Sequence, residues 1–187
     1  MRFSRAGTIT AADARAAEYV LAFGPPVDVH VNGGIDVFVH GARRGLRGFC
    51  TLLTSGMSDT RMSAPEDADA SIVRAELVLY ARRPTVEHAT LLRSLASLPA
   101  KTGAWFGLYD VVSLERRLFL LAPPAITDRV ESPFDEPLIF LWPIPLADSE
   151  ALFLVEHGHA ELIDRLYGAP GGPPDCLLVD EPRQPVA

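Results

Sequence analysis

The chain contains one lysine, Lys101, two cysteines, and no apolar run long enough to cross a bilayer. Each shortage removes a class of protein. Two cysteines cannot build a disulfide framework. Cys50 lies inside an apolar strand and Cys176 opens a short apolar run, so both read as buried free thiols. Lys and Arg total 17 against 24 Asp and Glu, for a net charge of −7. A deficit of positive charge argues against contact with phosphate backbones, which needs clustered Lys and Arg. The one basic cluster, Arg43-Arg44-Gly-Leu-Arg47, reads as a solvated loop. The most apolar segments, 118–126 and 138–146, are short and interrupted by proline, which excludes membrane-spanning helices. No apolar leader follows Met1-Arg2-Phe3-Ser4-Arg5. A soluble, cytoplasmic protein is the expectation. Phosphate loops are missing too: Gly103-Ala-Trp-Phe-Gly107 carries no lysine, and no G-x-G-x-x-G opens a helix.

With 187 residues, 48% of them apolar, the chain is read as one domain over 1–187, with its core at about 10–180 and a short tail at 181–187. Thr10-Ala-Ala-Asp13 caps a helix that runs to Phe23, where Gly24-Pro25-Pro26 stops it. Val27–Val31 and Ile35–Val39 alternate apolar and polar around Asn32-Gly33-Gly34, a hairpin signal. Phe49–Thr54 extends the sheet. Ile72–Tyr80 predicts the longest strand, with Val73, Ala75, Leu77 and Leu79 as its core face. Pro84-Thr85 opens a second helix that Pro99 should close. Strands are predicted around 105–112, 117–122 and 137–144, a third helix over 147–167, and a last short strand over 176–180. About three helices and seven or eight strands, grouped and not alternating, predict an α+β fold: a mixed, mainly antiparallel sheet packed against the helices in one compact domain.

This layout assembles no catalytic constellation from the candidate residues. His157 and His159 are the closest histidine pair, but two positions apart on one helix they point away from each other and cannot share a metal. Ser58 has Gly56 two residues before it, yet Thr60 stands where a nucleophile elbow needs its second glycine. Cys50 has no base partner within its strand. Arg74 and Glu76, on one strand face, read as an ion pair or a rim feature, and no second carboxylate is placed for acid–base work. No catalytic residue, cofactor or metal is assigned.

The segment Thr51-Leu-Leu-Thr54-Ser55-Gly56-Met57-Ser58-Asp59-Thr-Arg-Met62 passes from strand chemistry to turn chemistry within four residues. Gly56 should take a conformation reserved for glycine. Ser55, Ser58 and Asp59 should bond the turn's exposed backbone. Met57 fits either a core plug or an adaptable contact. With Ile35-Asp-Val-Phe-Val39, Ala75-Glu76-Leu-Val-Leu-Tyr80, Leu91–Pro99 followed by Trp105 and Gly107, Phe140-Leu-Trp142-Pro, Glu156-His-Gly158 and Val179-Asp180-Glu-Pro-Arg183, it resembles the suppressor of fused domain family over about residues 27–185. The family's Gly-His after the tryptophan segment is replaced here by Gly107-Leu108-Tyr109-Asp110, so any role of that histidine is not carried over.

The resemblance implies a non-enzymatic domain that binds another protein. It singles out Thr54, Ser55, Gly56, Met57, Ser58, Asp59, Met62, Glu76, Trp105, Gly107, Trp142, Asp180 and Arg183 as motif or interaction residues. Animal members restrain a transcription factor and carry a further C-terminal domain. A length that stops at the shared domain resembles stand-alone bacterial members, for which an immunity role against a toxin encoded nearby is the implied function, with a homodimer as another option. The alternative from a different class is a small hydrolase or small-molecule binder with its site between the 55–59 loop and Trp105–Asp110.

Overall fold

The computed structural model describes residues 9–42, 48–66, 72–125, 132–168, 178–180 and 183–187. Cys176 and the 43–47 arginine cluster lie outside the described residues. Helix α1, Ala11–Phe23, starts as predicted: Thr10 Oγ1 accepts from Asp13 N, and the Asp13 carboxylate accepts from Thr10 N. It ends at Gly24, whose φ is 81°. Strands β1 (Pro26–His30), β2 (Asp36–His40), β3 (Cys50–Ser55) and β4 (Ala75–Ala81) form an antiparallel run. After helices α2 (Val86–Ala96) and α3 (Leu98–Thr102) come β5 (Val111–Leu114), β6 (Arg117–Ala122) and β7 (Ile139–Leu146). Helices α4 (Asp148–His157) and α5 (His159–Gly168) follow.

These strands make one seven-stranded mixed sheet in the order β1-β2-β3-β4-β7-β6-β5. Its one parallel pair, β4 with β7, lies near the centre. The α+β expectation holds, and β1 and β5 are left as the two edges.

Both faces of the sheet are covered, which corrects the one-sided reading of β4. Leu77 and Leu79 pack with Leu92 and Leu95 of α2, whereas Val78 and Tyr80 pack with Tyr19 of α1 and with Leu162 and Leu166 of α5. Every residue of β4 is consequently buried, as a central strand between two helical layers must be.

Several elements differ from the sequence reading. Strand β7, with 8 residues, is longer than β4, with 7. Of the expected last strand, residue 178 is irregular and 179–180 form a turn, 176–177 lying outside the described residues. Pro99 does not close α2, which ends at Ala96; it sits in the first turn of α3, where a missing N–H costs nothing. Residues 105–110 form a turn, not a strand, with Tyr109 at φ 69°. The helix expected over 147–167 breaks at Gly158, φ 83°, into α4 and α5. His157 and His159 therefore sit on different helices. They stack on different rings, Phe153 at 4.2 Å and Tyr109 at 4.6 Å.

Candidate functional site

Gly56 stands where β3 leaves the sheet. Its φ of 124° lies outside the range an L side chain tolerates, and a Cβ there would be 2.2 Å from the Gly34 carbonyl oxygen. The expected glycine-only corner is present. Residues Met57–Asp59 then make one 3₁₀ turn. Met57 and Met62 are each 4% exposed and join the core on the α2 side, which selects the plug reading for Met57.

The turn's backbone is not satisfied by its own hydroxyls, as expected from sequence, but by Glu76. One carboxylate oxygen, Oε1, accepts from Gly56 N at 2.9 Å, Ser58 N at 3.1 Å and Ser58 Oγ at 2.6 Å. The other accepts from Thr54 Oγ1 at 2.6 Å, and that same hydroxyl accepts from Leu77 N at 2.7 Å. Glu76 is fully buried, and so is Arg15 of α1, whose Nε is 3.6 Å from Glu76 Oε1 and donates to Ser55 Oγ. Arg15 also forks onto Asp59, at 2.6 Å and 3.2 Å. Burial on its own would lower the Arg15 pKa, but the Asp59 hydrogen bond and the nearby Glu76 charge outweigh it and raise it. Tyr19, one turn further along α1, donates to Thr54 O at 2.7 Å.

Of the two readings of Arg74 and Glu76, the ion pair is not formed. Arg74 donates to Ser58 O and to Glu136, which it shares with Arg61, and its guanidinium lies 4.2 Å from the Phe134 ring centre. The cluster is thus a clamp in which opposite charges alternate. Glu76 is engaged by four hydrogen bonds and the Ser58 hydroxyl is donated to it, so neither group is presented to an outside molecule. Of this set, Arg15 and Glu136 escaped sequence reasoning. The available signal was Arg15 in helical register with inward-facing Tyr19 and Ala22.

The second motif pair, Trp105 and Gly107, is also in contact. Trp105 Nε1 donates to Ile72 O at 2.6 Å, and its ring lies so close over Gly107 that an added Cβ would meet it at 2.2 Å. Gly107 N donates to Asp110 Oδ2 at 2.8 Å, closing the turn before β5. Gly107→Ala is expected to expel the ring, break the bond to Ile72 and cost about 1–2 kcal/mol. A red-shifted, more quenchable tryptophan emission is the readout, since the other indole, Trp142, is fully buried against Tyr80 at 4.9 Å between ring centres.

The C-terminal motif is a second carboxylate clamp. Asp180 accepts from Arg82 N and Arg83 N at 3.0 Å and 2.7 Å, fixing the turn after β4. Arg183 forks onto the buried Glu150 of α4, which also accepts from Ala147 N at 2.9 Å and Val186 N at 3.1 Å. Burial pulls the Glu150 carboxyl upward, but the Arg183 pair and the backbone donors outweigh it and hold its pKa below the ordinary 4.5. A carboxyl with a lowered folded pKa stabilises the fold above its ordinary value, and that contribution fades as pH falls through the lowered one. Tail docking is therefore expected to hold from neutrality to about pH 5 and to fail in stronger acid. The protection of the Val186 amide from hydrogen exchange, relative to a free amide at the same pH, should be lost there, and in Arg183→Met already at pH 7.

Among the described residues, the cavity beside Trp105–Asp110 takes no lining from the 55–59 loop. This cavity, of about 340 Å³, is lined by Leu98, Thr102, Trp105, Phe106, Asp110 and the β5 residues Val111–Ser113, among others. It lies beside an edge strand with Leu108 and Val111 about 40% exposed at its end. Among the described residues no helix is long and apolar enough to cross a membrane.

Comparison with known proteins gives a consistent result. The family profile described as suppressor of fused protein matches residues 32–177. The chain is similar in structure to a suppressor of fused homolog from Neisseria gonorrhoeae, at 18% identity and a TM-score of 0.61, covering 83% of this chain and 88% of that one. It is similar to a chain of a Sufu–Fu complex, at 14% identity and a TM-score of 0.66, covering 95% and 93%. Drosophila Suppressor of Fused gives 16% identity and a TM-score of 0.60, covering 89% of this chain and 48% of that one. No curated protein sequence matches the chain.

Proposed function

Because the chain belongs to the suppressor of fused family, we propose that it is a non-enzymatic domain that binds another protein, and that it does so at the β5 end of its sheet. The observation that carries this reading is the 340 Å³ cavity alongside an edge strand. An edge strand offers unpaired N–H and C=O groups to an extended segment, and a flanking pocket takes one of its side chains. Leu98, Trp105 and Phe106 make the pocket wall apolar, and Asp110 supplies a polar group at one side. A solved relative in complex with another protein, Fu, supports a protein as the ligand class.

The net charge of −7 suits a basic partner, whose capture opposite charge accelerates. We place the chain on this basis with immunity-type proteins, its partner a toxin encoded nearby. Affinity capture from the native host, followed by mass spectrometry, tests both statements. The comparison is between the unaltered chain and Thr102→Arg/Ser113→Arg, which fills the mouth of the cavity from two exposed positions. A partner held by the first and lost by the second supports the β5 site. Equal retention by both moves the site elsewhere, and no enriched protein ends the binding reading.

A further inference from the structure

The opposite edge of the sheet carries a different pattern. Val27-Asp28-Val29-His30-Val31 is a palindrome in apolarity centred on Val29, with an acid and a base placed symmetrically about the centre. Val27 and Val31 are 68% and 73% exposed, Val29 between them is 36% exposed, and the Asp28 side chain is 62% exposed. Asp28 and His30 share a face and are 3.5 Å apart. The Val29 N–H is held by the neighbouring Asp28 carboxylate at 2.8 Å, a local bond that an incoming strand would replace. Natural sheets blunt such edges with lysine, interior proline or inward charge. Here Pro26 stands only at the start of β1, and the register irregularity between Pro26 and Asp28 leaves Asp28–His30 regular.

We propose that β1 joins two copies of this chain, antiparallel about a two-fold axis at Val29, into one continuous sheet. In that register each Asp28 faces His30 of the other copy, and Val27 faces Val31. A partner for this strand must present a base opposite 28, an acid opposite 30 and a small β-branched residue at either end. The strand itself meets that requirement, which selects a second copy over an unrelated protein. The self-complementary patch is what an isologous interface demands. The pairing leaves the β5 cavity, at the other end of the sheet, free.

Sedimentation of the full chain over a concentration series is the test. The mass should rise from 20.3 kDa toward twice that value. His30→Asp sets two carboxylates opposite two carboxylates and should weaken the dimer about tenfold. Asp28→His/His30→Asp exchanges the charges and should restore it. Val31→Asp, at a position 73% exposed, gives a second disruption outside the β1–β2 ladder, and thermal unfolding checks that each variant is folded. A wild-type chain that stays monomeric at every concentration overturns the proposal and leaves the edge to a strand of a different protein. So does a dimer indifferent to His30→Asp and Val31→Asp, or a folded double variant that fails to recover.

Discussion

Gly56→Ala is expected to cost about 3 kcal/mol, whereas Gly34→Ala, on the other side of the same contact, stays within about 0.5 kcal/mol. For a chain of this length the first loss lowers the unfolding midpoint by about 6–12 °C. The asymmetry follows from geometry. At Gly56 the φ of 124° forces a penalty of about 1–2 kcal/mol on any L residue. The new methyl would also sit 2.2 Å from the Gly34 carbonyl, and that obstacle is backbone. Relief therefore requires the β1–β2 loop to move away from the end of β3. Gly34 has no positive φ and nothing within 4 Å of a Cβ, so its methyl projects into solvent. Denaturant unfolding of both variants decides the matter. Equal stabilities would show that the corner tolerates a side chain.

That corner was legible because a glycine between strand and turn chemistry has few other uses. The hairpin of β1 and β2 was legible for the same kind of reason: period-two alternation on both sides of Asn32-Gly33, and Gly33 indeed has φ 66°. Local rules reach only as far as local contacts. Gly158 sits in an otherwise periodic apolar pattern, so the sequence reading carried one helix through it. The pattern continues because α4 and α5 both belong to the layer over the same sheet face. Residues 105–110 read as strand because of their aromatic side chains, yet Trp105 and Phe106 serve the core and the cavity while the backbone turns and Leu108 stays exposed.

The motif residues stand out in the sequence, but their partners do not. Ser55, Ser58 and Asp59 were assigned to their own turn because short polar side chains serve neighbours most often. A buried carboxylate 18 residues further on took that role instead. Its cation was less visible still. Arg15 lies 40 residues before Ser55 and 44 before Asp59, on a helix whose alanines suggest only a packed face. What the sequence does mark is which positions matter; which of them meet is decided by sheet order and by the helix laid across it.

Glu76 carries the largest expected effect. Glu76→Ala should cost about 4 kcal/mol, in the range for breaking a buried ion pair from one side. It removes the buried negative charge 3.6 Å from Arg15 Nε, leaving Arg15 only Asp59 and Ser55, and takes the acceptor from two backbone N–H groups and two hydroxyls. Arg15→Met should cost less, about 2 kcal/mol, because four hydrogen-bond donors still surround the carboxylate and Asp59 can turn to water from its half-exposed position. The order of these two losses separates a carboxylate that organises the corner from one that merely balances Arg15. Glu76→Gln keeps the shape and one acceptor, and combined with Arg15→Met it should lose about 1–2 kcal/mol less than the sum of the single variants. Additive losses would mean that Arg15 is held by Asp59 and Ser55 alone. A Glu76→Ala loss no larger than that of Arg15→Met would remove Glu76 from the centre of the clamp.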